Sequence, residues 1–284
     1  MAIRPKTLSA SIAPVFLGTA MAIGDGVHHL PTAVICLLAA LAIQIGTNLA
    51  NDYYDFQKGT DTAERVGPTR VTQAGLIKSS AVKNAFIAAF ALAAFLSVWL
   101  IVRGGWPILI IGILAILSGI FYTAGPRPLG YMGLGDVFVF IFFGPVAIAG
   151  TYYVQSFEMN AAVILAGVGP GLISVAILTV NNLRDIDSDA KTGKRTLAVR
   201  FGRPFAVFEY LFCMSAAALM PVLIFIMIQD HIYILYCSAL GLIAIPNIMT
   251  VITRPDGPAL NRTLASTGLL LLGYSIVFAI GWVL

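Results

Sequence analysis

Nine long runs of apolar residues, separated by short turns, leave this chain few ways to fold. They lie near residues 8–24, 30–50, 80–102, 105–123, 133–154, 160–181, 205–228, 231–252 and 263–284. A helix that crosses a bilayer needs about 20 mostly apolar residues. The breaks carry turn chemistry: Gly24-Asp25-Gly26, Gly104-Gly105, Gly125-Pro126 and Arg254-Pro255-Asp256-Gly257-Pro258. Only 11% of the 284 residues are charged. A soluble domain carries about 25%, so lipid has to solvate most of this surface. The expectation is an all-α, polytopic membrane protein, with nine transmembrane helices around a central lipid-accessible cavity and cytoplasmic cap loops. It forms a single domain over 1–284.

The basic residues test that count. With the N-terminus in the cytoplasm, alternation places 16 of the 17 lysines and arginines on the cytoplasmic side, and only Arg103 opposite. That is the asymmetry that sets topology in membrane proteins. It puts the chain in a cell membrane as a multi-pass protein, with its C-terminus outside. It also explains the net charge of +4 without a nucleic-acid partner. Cys36, Cys213 and Cys237 lie inside apolar runs without metal-ligand spacing, and His28, His29 and His231 lie in short loops.

The two longest loops, about 51–79 and 182–204, follow segments 2 and 6, and both fall on the cytoplasmic side. Each opens on the same spacing: Asn51 to Asp55, and Asn181 to Asp185, 130 residues apart. This hints at a four-helix pseudo-repeat, about 1–130 and 131–260, with a ninth helix appended. If helix 2 continues to about residue 56, Asn48, Asp52 and Asp55 share one face, and Gln44 extends it into the membrane. Asp185 and Asp189 are one turn apart. Asp187 falls on another face, and Thr179 continues the face of Asn182. Polar stripes on spanning helices point at the bundle interior.

Carboxylates so spaced repel one another unless a cation joins them. Magnesium takes oxygen ligands and binds through one or two carboxylates together with substrate phosphates. The basic residues Arg65, Arg70, Lys191, Lys194 and Arg195 follow the two clusters and suit phosphate. A diphosphate held at the membrane edge over an apolar cavity suits a polyprenyl diphosphate. Magnesium and basic groups would stabilise the departing diphosphate. Aromatic faces at that depth, Tyr53, Tyr54 and Tyr122, suit the allylic cation left behind.

The motifs resemble those of the UbiA-type intramembrane aromatic prenyltransferases. Asn51, Asp52 and Asp55 resemble the family's Asn-Asp-x-x-Asp signature, and Asp185 and Asp189 its Asp-x-x-x-Asp signature. The resemblance is strongest to the branch that prenylates 1,4-dihydroxy-2-naphthoate in menaquinone synthesis. It is carried by Arg4–Leu8, Asn51–Asp61, Arg65–Arg70, Tyr122–Gly130, Gly133–Asp136, Gly150–Tyr153 and Asn181–Leu197. The resemblance implies Mg2+ held by Asp52, Asp55, Asp61, Asp185 and Asp189, with Asn51 part of the catalytic motif. It implies substrate contacts from Arg4, Lys6, Asn48, Arg65, Arg70, Tyr122, Arg127, Asn182, Lys191, Lys194 and Arg195. Its partners are then polyprenyl diphosphate, 1,4-dihydroxy-2-naphthoate and membrane lipid. Two departures from the wider superfamily stand out: Gly59 occupies the place of a third aspartate, and Gly125-Pro126-Arg127-Pro128 replaces a lysine-bearing loop. Other acceptors, such as 4-hydroxybenzoate or homogentisate, are alternatives. So are a cation transporter and a non-catalytic lipid-binding scaffold.

Overall fold

The computed structural model describes residues 4–60, 70–254 and 256–284, with backbone only for Pro5 and Lys6. Among the described residues nine helical spans follow in order: α1 (Pro5–Gly24), α2 (Leu30–Gln57), α3 (Ser79–Gly104), α4 (Trp106–Phe121), α5 (Gly135–Ser156), α6 (Ala161–Arg184), α7 (Leu197–Ile228), α8 (Ile232–Thr253) and α9 (Gly257–Val283). Eight of them are long and apolar enough to cross a bilayer, and α4 is a shorter apolar helix. Eight of the nine expected spans therefore appear at full length and the fourth as a shorter apolar helix, with α2 running on through its acidic motif.

Local chemistry sets the starts. Asn160, Thr196 and Asp256 each accept a backbone N–H three residues on, from Val163, Val199 and Ala259. Proline opens α2, α4 and α9, where its missing N–H costs nothing. Helices α5 and α6 are each interrupted, at Gly144-Pro145 and at Gly167, and they touch at the breaks. A Cβ on Gly144 would lie 2.5 Å from the carbonyl oxygen of Gly167, so only glycine permits this backbone contact.

Helix ends alternate between two faces. On one, Asp25 at the end of α1 accepts from Tyr152 Oη at 2.6 Å and Trp282 Nε1 at 2.8 Å, joining α1, α5 and α9. Arg103 lies on this face too, donating from Nε to the carbonyl of Val154 at 2.9 Å. On the other face the ends of α2, α4 and α6 meet the start of α9, as the next section describes. The main core joins α1, α6, α7 and α9 through Leu17, Tyr210, Tyr274 and Phe278, all nearly inaccessible. Large apolar side chains face outward instead, among them Phe95, Trp106 and Leu269, each about 70% exposed. Water does not stabilise such a surface; hydrocarbon does.

Candidate active site

A cavity of about 380 Å³ opens at the second face and runs down between α1, α2, α3, α4, α5 and α6. Its stem is apolar and its mouth is charged. The first acidic motif reaches that mouth because α2 does not stop at the apolar boundary. Gln44, Asn48, Asn51 and Asp55 recur at spacings of four, three and four and all line the cavity. Asn48 Nδ2 donates to Thr7 Oγ1 at 3.1 Å, and Thr123 Oγ1 donates to Asn51 Oδ1 at 2.8 Å. These bonds tie the stripe to α1 and to the turn after α4.

Asp55 is the hub. It is 1% exposed and gathers three groups from three places in the chain. Arg70 Nη2 lies 3.0 Å from one oxygen, and Lys194 Nζ lies 3.6 Å from the same oxygen. Tyr131 Oη donates to the other at 2.8 Å. Tyr131 sits on a 3-10 turn (Leu129–Tyr131) before α5, and two ammonium groups flank its ring: Lys58 Nζ at 4.8 Å and Lys194 Nζ at 5.1 Å from the centroid. Contacts of this kind are worth about 0.5–2 kcal/mol each. Lys58 also donates to the carbonyls of Thr123 and Gly125, at 2.6 and 3.1 Å. Partial burial lowers the Lys58 pKa; the Asp55 carboxylate opposes that shift and Lys194 adds to it.

The second motif is built differently. Helix α6 breaks at Asp185, whose ψ of 9° lets a short helix, Ile186–Lys191, start in a new direction. Asp185 is clamped by its own neighbour: Arg184 donates from Nε at 2.8 Å and from Nη2 at 2.6 Å, a bidentate pair. The same guanidinium holds Asn181 Oδ1 at 2.8 Å and Asn261 Oδ1, at the start of α9, at 2.7 Å. One turn on, Asp189 Oδ1 lies 3.8 Å from Lys194 Nζ. Lys194 therefore touches both motifs, and the two acidic segments share one mouth.

Of the residues singled out in the sequence, Arg4, Asn48, Asn51, Asp55, Arg70, Tyr122, Asn182, Asp185, Asp189 and Lys194 all line this cavity. Asp52 does not. Its Oδ2 accepts from Thr72 Oγ1 at 3.1 Å, and its Oδ1 is buried without a hydrogen-bond partner among the described residues. The polar stripe thus runs through Asn51, not Asp52. Tyr53 and Tyr54 also turn away, packing on Phe86 of α3 at 5.7 and 5.9 Å. The aromatic walls come instead from Tyr122, Tyr131, Phe138 and Phe142. Arg127, Lys191 and Arg195 are exposed and lie off the cavity. Asp61, Arg65 and the side chain of Lys6 lie outside the described residues.

Sequence reasoning missed Tyr131, Thr72, Thr123, Lys58 and the clamp made by Arg184. A signal existed for Tyr131, which directly follows the Tyr122–Gly130 stretch. Thr123 lies within that stretch, but nothing in the sequence marked Thr72, which acts only through its three-dimensional neighbour Asp52.

A charged mouth rich in oxygen ligands, leading into a narrow apolar stem, suits an amphiphile with an anionic head. The relatives agree with that geometry. Two proteins named 1,4-dihydroxy-2-naphthoate octaprenyltransferase are similar: one from Haemophilus influenzae at 43% identity, over 76% of this chain and 73% of the relative, and one from Escherichia coli at 38%, over 81% and 76%. The human UbiA prenyltransferase domain-containing protein 1 is 30% identical over 99% of this chain and 82% of its own. A solved UbiA homolog from Archaeoglobus fulgidus, bound to DMAPP and Mg2+, superposes with a TM-score of 0.69 at 18% identity, over 98% of both chains. The profile of the UbiA prenyltransferase family matches residues 11–283, and with those relatives it establishes that this chain belongs to the UbiA prenyltransferase family.

Proposed function

We propose that this chain transfers a polyprenyl group from a polyprenyl diphosphate to 1,4-dihydroxy-2-naphthoate, with loss of carbon dioxide, giving a demethylmenaquinol. The observation that carries the reading is the meeting of two acidic motifs, 130 residues apart, across Lys194 at the mouth of one apolar cavity. The acceptor is supported by the naphthoate octaprenyltransferases among the relatives.

Magnesium fits the ligands present. No group of three His, Cys, Asp or Glu among the described residues could enclose an ion unaided. Asp55, Asp185 and Asp189 nevertheless offer hard oxygens around one mouth, with the amide oxygens of Asn51 and Asn182 beside them. Such a partial set is what magnesium uses when substrate phosphates complete its shell. Charge points the same way. Arg70, Arg184 and Lys194 are matched by Asp55, Asp185 and Asp189, so a diphosphate that shares Arg70 and Lys194 with these carboxylates needs further positive charge. Bound there by Asp55, Asp185 and Asp189, Mg2+ would supply Lewis-acid stabilisation of the leaving diphosphate.

The chain's own residues do the rest. Arg70 and Lys194 face the mouth and neutralise charge that grows on the diphosphate as the carbon–oxygen bond opens. The apolar stem keeps water from the allylic cation, and the faces of Tyr122, Phe138 and Phe142 stabilise it. Arg4, on the cavity wall near Asn48, is placed to hold the naphthoate carboxylate. The electron-rich ring then attacks the allylic carbon and the carboxyl group leaves as carbon dioxide. Sixteen of the 17 basic residues assign the mouth to the cytoplasm and the C-terminus to the opposite side.

The test is product mass spectrometry. Purified protein receives octaprenyl diphosphate with 1,4-dihydroxy-2-naphthoate or 4-hydroxybenzoate, with and without EDTA. The expected result is prenylated, decarboxylated naphthoate only, and none with EDTA. Transfer to 4-hydroxybenzoate alone overturns the acceptor; full turnover in EDTA overturns the metal.

A further inference from the structure

The far end of the cavity is apolar. Its floor is a compact apolar cluster in which Leu100 of α3, Ile108 of α4 and Val154 of α5 are each at most 7% exposed. Beside that floor Arg103 donates to the Val154 carbonyl and lies over the Phe157 ring, 4.7 Å from its centroid.

One turn above the floor, two glycines line the wall. Gly112 is four residues from Ile108 on α4, and Gly150 is four residues from Val154 on α5. At 1.5 Å per residue, each stands about 6 Å above the floor on the same helix face. A Cβ on Gly112 would meet only Ser97 Oγ, at 3.9 Å, and a Cβ on Gly150 only Ile111 Cδ1, at 3.7 Å. Ile111 precedes Gly112, so the two glycines flank the same stretch of the stem. The other two cavity glycines behave differently. A Cβ on Gly119 would lie within collision distance of Thr47 Oγ1, and one on Gly130 would lie 2.9 Å from Tyr122. Helix packing accounts for Gly119 and Gly130. It does not account for Gly112 and Gly150, which leave space that nothing in the protein fills.

We propose that Gly112 and Gly150 are specificity-determining residues that keep the deep end of the stem open, and so set the longest prenyl chain the site turns over efficiently. The inference rests on the prenyl-transfer reading above. Placing a branched side chain at either position raises the floor by one turn, and the longer tail then loses the depth it occupies. Short tails end above the obstruction.

The experiment is a competition. The full chain receives 1,4-dihydroxy-2-naphthoate and an equimolar mixture of geranyl, geranylgeranyl and octaprenyl diphosphates, and products are separated by mass. Gly112→Leu and Gly150→Leu are expected to lower the ratio of octaprenyl to geranyl product about tenfold, and Gly112→Ala about twofold, as steric exclusion in an apolar pocket gives. Gly112→Ala keeps the test decisive should a leucine variant fold poorly. An unchanged ratio in Gly112→Ala and in either folded leucine variant overturns the proposal, and shows that the tail leaves the stem for lipid above the glycines. Equal losses for all three diphosphates overturn it too. Wild-type protein that transfers none of the three refutes the prenyl-transfer reading instead.

Discussion

The two acidic motifs share a spacing but not a construction. Asp55 draws its partners from three separate places: Arg70, Tyr131 and Lys194. Asp185 draws its principal partner from the adjacent residue, Arg184, which Asn181 and Asn261 hold in place. The first is oriented by closure of loops over an unbroken helix; the second by a break in its own helix. Neighbours in sequence do not face each other along a continuous helix. The turn at Asp185 is what lets Arg184 reach back and grip it. The first site is therefore redundant and adjustable, and the second is a fixed clamp.

The largest effect expected is from Asp55→Ala and Asp185→Ala. Each is expected to cut prenyl transfer by about a hundredfold or more, the scale of removing one electrostatic contact to a developing charge. Normal insertion, checked by size-exclusion chromatography in detergent, separates this from misfolding. Unimpaired turnover in either variant contradicts the metal assignment.

Arg184→Met against Arg70→Met probes the asymmetry itself. Removing Arg184 takes both hydrogen bonds of a bidentate pair from a buried carboxylate, and breaking a buried pair costs about 3–5 kcal/mol. Its thermal midpoint is expected to fall well below that of Arg70→Met, since Asp55 keeps Lys194 and Tyr131. Equal midpoints erase the distinction drawn between the motifs.

Tyr131→Phe is a finer cut. It keeps the ring between Lys58 and Lys194 but deletes the hydrogen bond to Asp55. The expected loss is about tenfold in kcat/KM, the value of one hydrogen bond to a charged group. It should be accompanied by a higher magnesium requirement. Arg127→Ala, exposed and off the cavity, is expected to stay within about twofold of wild type. A loss there as large as in Tyr131→Phe would return Arg127 to the site.

What the sequence determined by itself was the solvent of each segment and the face on which each loop emerges. Both follow from quantities that add along the chain: apolar length against bilayer thickness, and positive charge counted by side. That was enough to place Asn48, Asp55, Asp185, Asp189 and Lys194 at one edge of the membrane. Only the tertiary structure decided which polar side chains face the cavity. Successive residues on a helix point about 100° apart. A rotation of α2 by that angle therefore exchanges Asn51 with Asp52 at the cavity wall. That rotation is set by what packs behind the helix, namely Phe86 and Phe90 of α3 and the hydroxyl of Thr72, residues 20 or more positions away. A local pattern carries no record of those neighbours, so the stripe was legible but its phase was not.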